Sequence, residues 1–200
     1  MMTRPRALRP AVLAAVAVFA TLAGSGSAEV TPEVRAKAAG IFAALDRIEA
    51  EAGRPGPSAP KPGSRKLIFT EAELNAYAAC RLEDEGEPFV KAVKLKLLAG
   101  DKIEGLIRID LGKPQASGLM PQNQDLLFAA RVETQDGKIR INMDKLFLGT
   151  QAISPDFVDI VIGAVSRLQG LEPTSLKDWY DLPPGVLRLE SQPGQVVVVY

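Results

Sequence analysis

The side chains that could do chemistry are few, and their types narrow the reactions at once. The chain has no histidine, which removes the usual general base, the usual zinc ligand and the usual partner of a serine or cysteine nucleophile. A hydrolase built without imidazole needs paired carboxylates or a serine with a lysine. Glu83, Asp84, Glu85 and Glu87 lie close together and raise a metal or acid/base reading. Their spacing matches no calcium loop and nothing basic accompanies them, so they read as a solvated turn. Asp156 with Asp159, and Asp178 with Asp181, are spaced to share helix faces, an arrangement that is usually just exposed acid. No GxSxG nucleophile elbow occurs. Cys80 is the only cysteine; it cannot form an internal disulfide and is expected to be buried. No catalytic residue, metal ligand or cofactor is assigned, and the chain is not expected to be an enzyme.

Composition agrees with that. Two hundred residues with 46% hydrophobic side chains can bury a real core, which excludes disorder, a collagen-like chain and a disulfide scaffold. Basic and acidic residues number 24 each, so no basic excess draws the chain to nucleic acid.

The N-terminus points to a destination. Arg4, Arg6 and Arg9 precede an apolar run from Ala11 to Ala20, followed by small residues up to Ala28. This is the plan of a secretory signal peptide over residues 1–28, cut ahead of Glu29. The run is shorter than the roughly 20 apolar residues of a membrane span, although a retained N-terminal anchor is the alternative. Export to the periplasm or the medium follows. Cleavage would remove three arginines and no acid, leaving 21 basic against 24 acidic side chains.

The elements that follow divide the mature chain. Residues 29–53 form an N-terminal helix opened by Thr31, Pro32 and Glu33 and closed by Gly53. Its apolar positions Val34, Ala38, Ile41, Leu45, Ile48 and Ala52 make one narrow seam, which either lies on the domain or grips an envelope protein partner. Residues 54–65 are a Pro-rich linker, expected to be a stiff tether. Residues 66–200 form a single domain. Thr70 and Glu73 make a capping box opening a second helix that reaches about Leu82. A four-strand meander follows: Val93, Leu95 and Leu97; Ile103, Ile107 and Ile109; Phe128, Ala130 and Val132; Ile139, Ile141 and Met143 alternate with polar neighbours. The polar face sets Lys94, Lys96, Arg108, Arg131 and Arg140 against Glu104, Asp110, Glu133 and Asp144, a mixture suited to cross-strand pairing and solubility rather than binding. A helix from Ser154 carries Phe157, Val161, Val165 and other apolar residues over an arc of about 200°, wider than one sheet can cover. A short helical turn over Leu176–Leu182 and a C-terminal hairpin joining the main sheet complete the domain. The fold class is α+β: a curved antiparallel sheet, four-strand meander plus C-terminal hairpin, packed on amphipathic helices.

The stretches Phe69–Tyr77, Leu148-Gly149, Ile153-Ser154-Pro155 and Leu182–Val186, in this order around the meander, resemble small exported bacterial proteins related to the tubular lipid-binding (TULIP) superfamily. The resemblance covers about residues 66 to 200 and is to a half-unit, with one sheet where the family has two. It implies a curved sheet wrapping a helix around an apolar groove for acyl chains. The lining residues it implies are Val93, Leu95, Ile107, Ile109, Phe128, Ile141, Phe157, Val161 and Val165. A lipid or other hydrophobic ligand is therefore the expected partner, with a ligand-free assembly factor of the envelope as the alternative.

Overall fold

The computed structural model describes residues 30–53, 63–85, 90–110, 123–156, 159 and 175–200. Helix α1 runs over Pro32–Ala52, with the Thr31 hydroxyl accepting the Val34 N–H at 3.4 Å and proline in its first turn. Ala38, Ile41, Ala44 and Ile48 are buried along it. Of the expected seam, Ala38, Ile41 and Ile48 are buried and Val34 and Leu45 half-buried, while Ala52 is exposed and Ala44, outside that seam, is buried. It packs along helix α2, Glu71–Glu85, where the Phe42 and Tyr77 rings meet at 4.9 Å and Arg35 pairs with Glu83. The capping box forms as expected: Thr70 N–H donates to Glu73 at 2.7 Å, and Glu73 N–H donates to the Thr70 hydroxyl at 3.2 Å.

Strands β2 (Val90–Leu97), β3 (Lys102–Asp110), β4 (Asn123–Gln135) and β5 (Lys138–Leu148) form the antiparallel meander. The far edge of β5 takes β6 (Gln151–Ala152) at one end and β7 (Tyr180–Asp181) at the other. Asp136 and Gly137, with φ of 50° and 74°, make the tight β4–β5 turn that their types require. Ala129 pairs with Lys145 and Ala130 with Met143, which leaves Asp144 as an extra residue. That bulge reverses the alternation of β5, so Ile139, Ile141 and Met143 face inward before it and Leu146 and Leu148 after it. Bulges also bend and twist the strand that carries them, as a curled sheet needs.

The C-terminal hairpin does not join this sheet, contrary to the sequence expectation. β8 (Arg188–Gln192) and β9 (Gln195–Val199) pair with β1 (Lys66–Thr70) in a separate sheet of order β1-β9-β8. The central position suits β9, whose Val196 to Val199 are all buried. A four-valine run cannot alternate; β1 and β8 pair with both its ladders, and Val196 and Val198 turn one face to the interior. Side chains join the two sheets. The Thr134 hydroxyl donates to Leu189 C=O at 3.2 Å, and Ser191 N–H donates to Asp101 at 2.8 Å.

The edge of β2 is covered rather than left open. The Asn75 amide of α2 both donates to Leu95 C=O and accepts its N–H, at 2.8 and 2.7 Å, while Glu71 accepts the Leu97 N–H at 2.7 Å. Two further sequence expectations change. Helix α2 continues to Glu85, held by the Arg81–Glu85 pair. Leu176–Leu182 is not helical beyond one turn, closed by Asp178 N–H donating to Ser175 C=O at 3.1 Å: Tyr180 and Asp181 form β7 against Ile139 and Lys138, with the Tyr180 hydroxyl donating to Ser175 C=O at 2.6 Å.

Candidate functional site: an apolar cavity between the two sheets

The inner faces of both sheets and one side of each helix meet around a cavity of about 160 Å³. The meander contributes Val93, Leu95, Ile107, Phe128 and Ile141 among others, the small sheet contributes Phe69, Val196 and Val198, and the helices contribute Ile41, Leu45, Leu74 and Tyr77. Among the described lining residues only Tyr77 and Ser191 carry a hydroxyl. Ser191 turns its Oγ to Leu98 and Lys102 C=O, at 3.1 and 3.3 Å. Burial pushes the Tyr77 phenol up from its ordinary pKa, with Arg81 opposing, so this hydroxyl stays neutral at physiological pH. Such walls offer few of the two to four polar partners that a buried water needs.

Local sequence explains how the space survives. Phe128 stands opposite Gly105 in the β3–β4 register, and its ring occupies the place a Cβ on Gly105 would need. The ring thus lies flat on the sheet instead of filling the middle. On the opposite side, Gly185 brings its backbone against α1; a Cβ there would stand 2.7 Å from Ile48 Cγ2. This contact seats α1 as one wall of the cavity.

Of the nine residues expected to line a groove, Val93, Leu95, Ile107, Phe128 and Ile141 border this cavity. Ile109 is half-buried, packed on the core. Phe157, Val161 and Val165 lie outside the described residues, as do the wide apolar arc they belong to, the signal segment 1–28 and the linker from 54 to 62. Leu74 and Tyr77, which the pattern of α2 turns inward, border the cavity too, while Phe69, Val196 and Val198 are lining residues beyond the expected nine. For Val196 and Val198 the unbroken Val196–Val199 run is the local signal, since such a run has to be covered on both faces.

The candidate carboxylates serve local structure. Asp159 accepts the Ser175 hydroxyl at 3.0 Å and the Leu176 N–H at 2.7 Å, and Asp178 accepts the Ser175 N–H at 2.7 Å. Asp156 pairs with Lys177 at 2.7 Å, which raises the lysine's pKa, and Asp181 stands 3.8 Å from Lys138. Glu83 accepts the Val30 N–H and pairs with Arg35. No acidic group among the described residues is arranged to hold a metal ion. Ser58 and Lys61 have serine–lysine spacing, but both fall outside the described residues. Cys80 is buried, and desolvation pushes its thiol pKa up, which favours the unreactive protonated form.

The fold and cavity define an α+β protein in which a curled antiparallel sheet encloses an apolar space with help from a second, smaller sheet. Comparison with protein families, curated proteins and solved structures returns no match. Among the described residues no helix is long and apolar enough to cross a membrane.

Proposed function

We propose that this protein is exported by a signal peptide over residues 1–28 and binds or transfers a lipid or other hydrophobic ligand in the cavity between its two sheets. The observation that carries this reading is the cavity itself, about 160 Å³ with walls almost wholly of carbon. Close-packed cores leave few voids larger than a water molecule. A cavity this large and this apolar costs stability when empty, and a ligand would recover that cost. A dry cavity of roughly 150 Å³ takes a group about the size of benzene, so the space described suits the end of an acyl chain or a single ring. A longer chain would need α1 to move outward. The resemblance to a half-unit of the tubular lipid-binding superfamily supports the same ligand class. The seam of α1 is buried against α2, which favours the ligand reading over an assembly factor using that seam to grip a partner.

Gentle purification followed by native mass spectrometry and solvent extraction should reveal a co-purifying hydrophobe, or uptake of added palmitate. A clean apo mass with no uptake of palmitate or toluene overturns the proposal.

A further inference from the structure

The outer face of the meander is not the uniformly polar surface that alternation implies. Leu127 and Phe147 are 42% and 36% exposed there. They are register partners, and the row continues through Leu106 on β3 to Lys94 on β2. Two triple apolar runs, Leu126-Leu127-Phe128 and Leu146-Phe147-Leu148, produce it, because a strand that buries the outer two of three consecutive residues must expose the middle one.

Charge around this row is segregated. Strands β2 to β5 carry nine basic and five acidic side chains, a surplus of four positive charges. Helices α1 and α2, which line the cavity on the opposite side of the sheet, carry nine acidic and four basic. A chain with no net charge overall is therefore polarised, basic on its outer sheet and acidic on its helical layer. Lys96, Arg108 and Arg140 are engaged in ion pairs with Glu104, Asp125 and Glu133. Lys94, at one end of the apolar row, and Lys145, beside Phe147, take part in none of the described ion pairs, and both are exposed.

From this juxtaposition we propose that the outer face of strands β2 to β5 docks on an anionic lipid surface, with Leu127 and Phe147 entering the interfacial region and Lys94 and Lys145 meeting the headgroups. Exposed apolar side chains flanked by unengaged lysines match the two terms of interfacial binding, area burial and attraction to anionic lipid. The acidic helical layer, repelled by the same surface, sets the orientation. Docking would leave α1 on the side away from the bilayer.

The test is flotation of the full chain with phosphatidylcholine vesicles, with and without phosphatidylglycerol. Binding is expected only with phosphatidylglycerol, and is expected to vanish as salt rises from about 0.1 M to 1 M and the Debye length falls from about 10 Å to 3 Å. Leu127→Ser with Phe147→Ser should weaken it at least tenfold, and Lys94→Gln with Lys145→Gln by about fivefold per lysine. Both variants should keep the parent's melting temperature and palmitate uptake, since the altered side chains point away from the cavity. Equal affinity for both vesicle types, no vesicle binding, or unchanged binding by the Leu127/Phe147 variant overturns the proposal. So does a dimer in sedimentation that this variant dissolves without any vesicle binding, which would assign the row to a second copy of the chain. The cavity reading is tested by ligand uptake without vesicles, so either proposal can fail alone.

Discussion

Adjacent residues of β9 offer a matched test of whether the cavity is real space. Val198 and Val197 are both buried, but Val198 borders the cavity while Val197 lies on the opposite face of the small sheet. An empty cavity costs about 24 cal/mol per Å³, so the 160 Å³ here represents about 4 kcal/mol of unrealised stability. Val198→Leu extends one methylene into that space and should stabilise by about 1 kcal/mol, the burial of one such group with a small gain in packing. Val197 is 4% exposed and does not border the cavity, so Val197→Leu must displace neighbours and should destabilise by about 1 kcal/mol, the low end for overpacking. Both changes lose the same β-branched preference, which cancels in the comparison. For a chain of this length, 1 kcal/mol corresponds to about 2–4 °C in Tm, so calorimetry should separate the variants by about 4–8 °C. Equal shifts of the same sign would refute the argument, because they would mean that Val198 sees a packed wall.

Three other outcomes follow from the same geometry. Gly185→Ala places a methyl against Ile48 in a backbone of positive φ (87°) and should cost about 2 kcal/mol or more, with faster hydrogen exchange in α1 than in β3; normal protection of α1 would count against its seating by this loop. Gly105→Ala should push the Phe128 ring into the cavity and reduce palmitate uptake more than it lowers Tm, as paired uptake and melting measurements would show. Hydrogen bonds from Thr70 hold the Glu73 carboxyl below the usual carboxylate range, so its stabilisation is present above that range and disappears as pH falls through the lowered value. Glu73→Gln should thus be less stable than the parent by about 0.5 kcal/mol at neutral pH and equal to it in strong acid, a trend readable from urea midpoints against pH.

Local rules governed what could be read from the chain. The capping box at Thr70, the Asp136-Gly137 turn and the alternation around Val93, Ile107 and Ile141 each depend on residues within a few positions, and each element formed where expected. The partner of β9 could not be read this way, because five residues at Lys66–Thr70 carry no mark of the strand that will meet them near the far end of the chain. The same limit hid how β1, β9 and the two helices, which supply about a third of the cavity lining, come together with the meander. Leu127 and Phe147 were missed for another reason. Each is the middle member of a triple apolar run whose outer two residues satisfy the inward alternation, so the pattern is complete without it.

The β1–β9 pairing also has a consequence for the order of folding. Lys66 pairs with Val199, about 130 residues along the chain, so closure of the small sheet is among the most non-local events in the fold and should come late. The meander and α2 connect neighbours and can assemble first. Until β9 pairs with β1, Val196–Val199 is an uncovered segment of high β-propensity, the kind that seeds intermolecular pairing. Removal of β9 would leave β1 and β8 without their shared partner and strip Val196 and Val198 from the cavity wall, so such a variant should depend on chaperones far more than the loss of five residues implies.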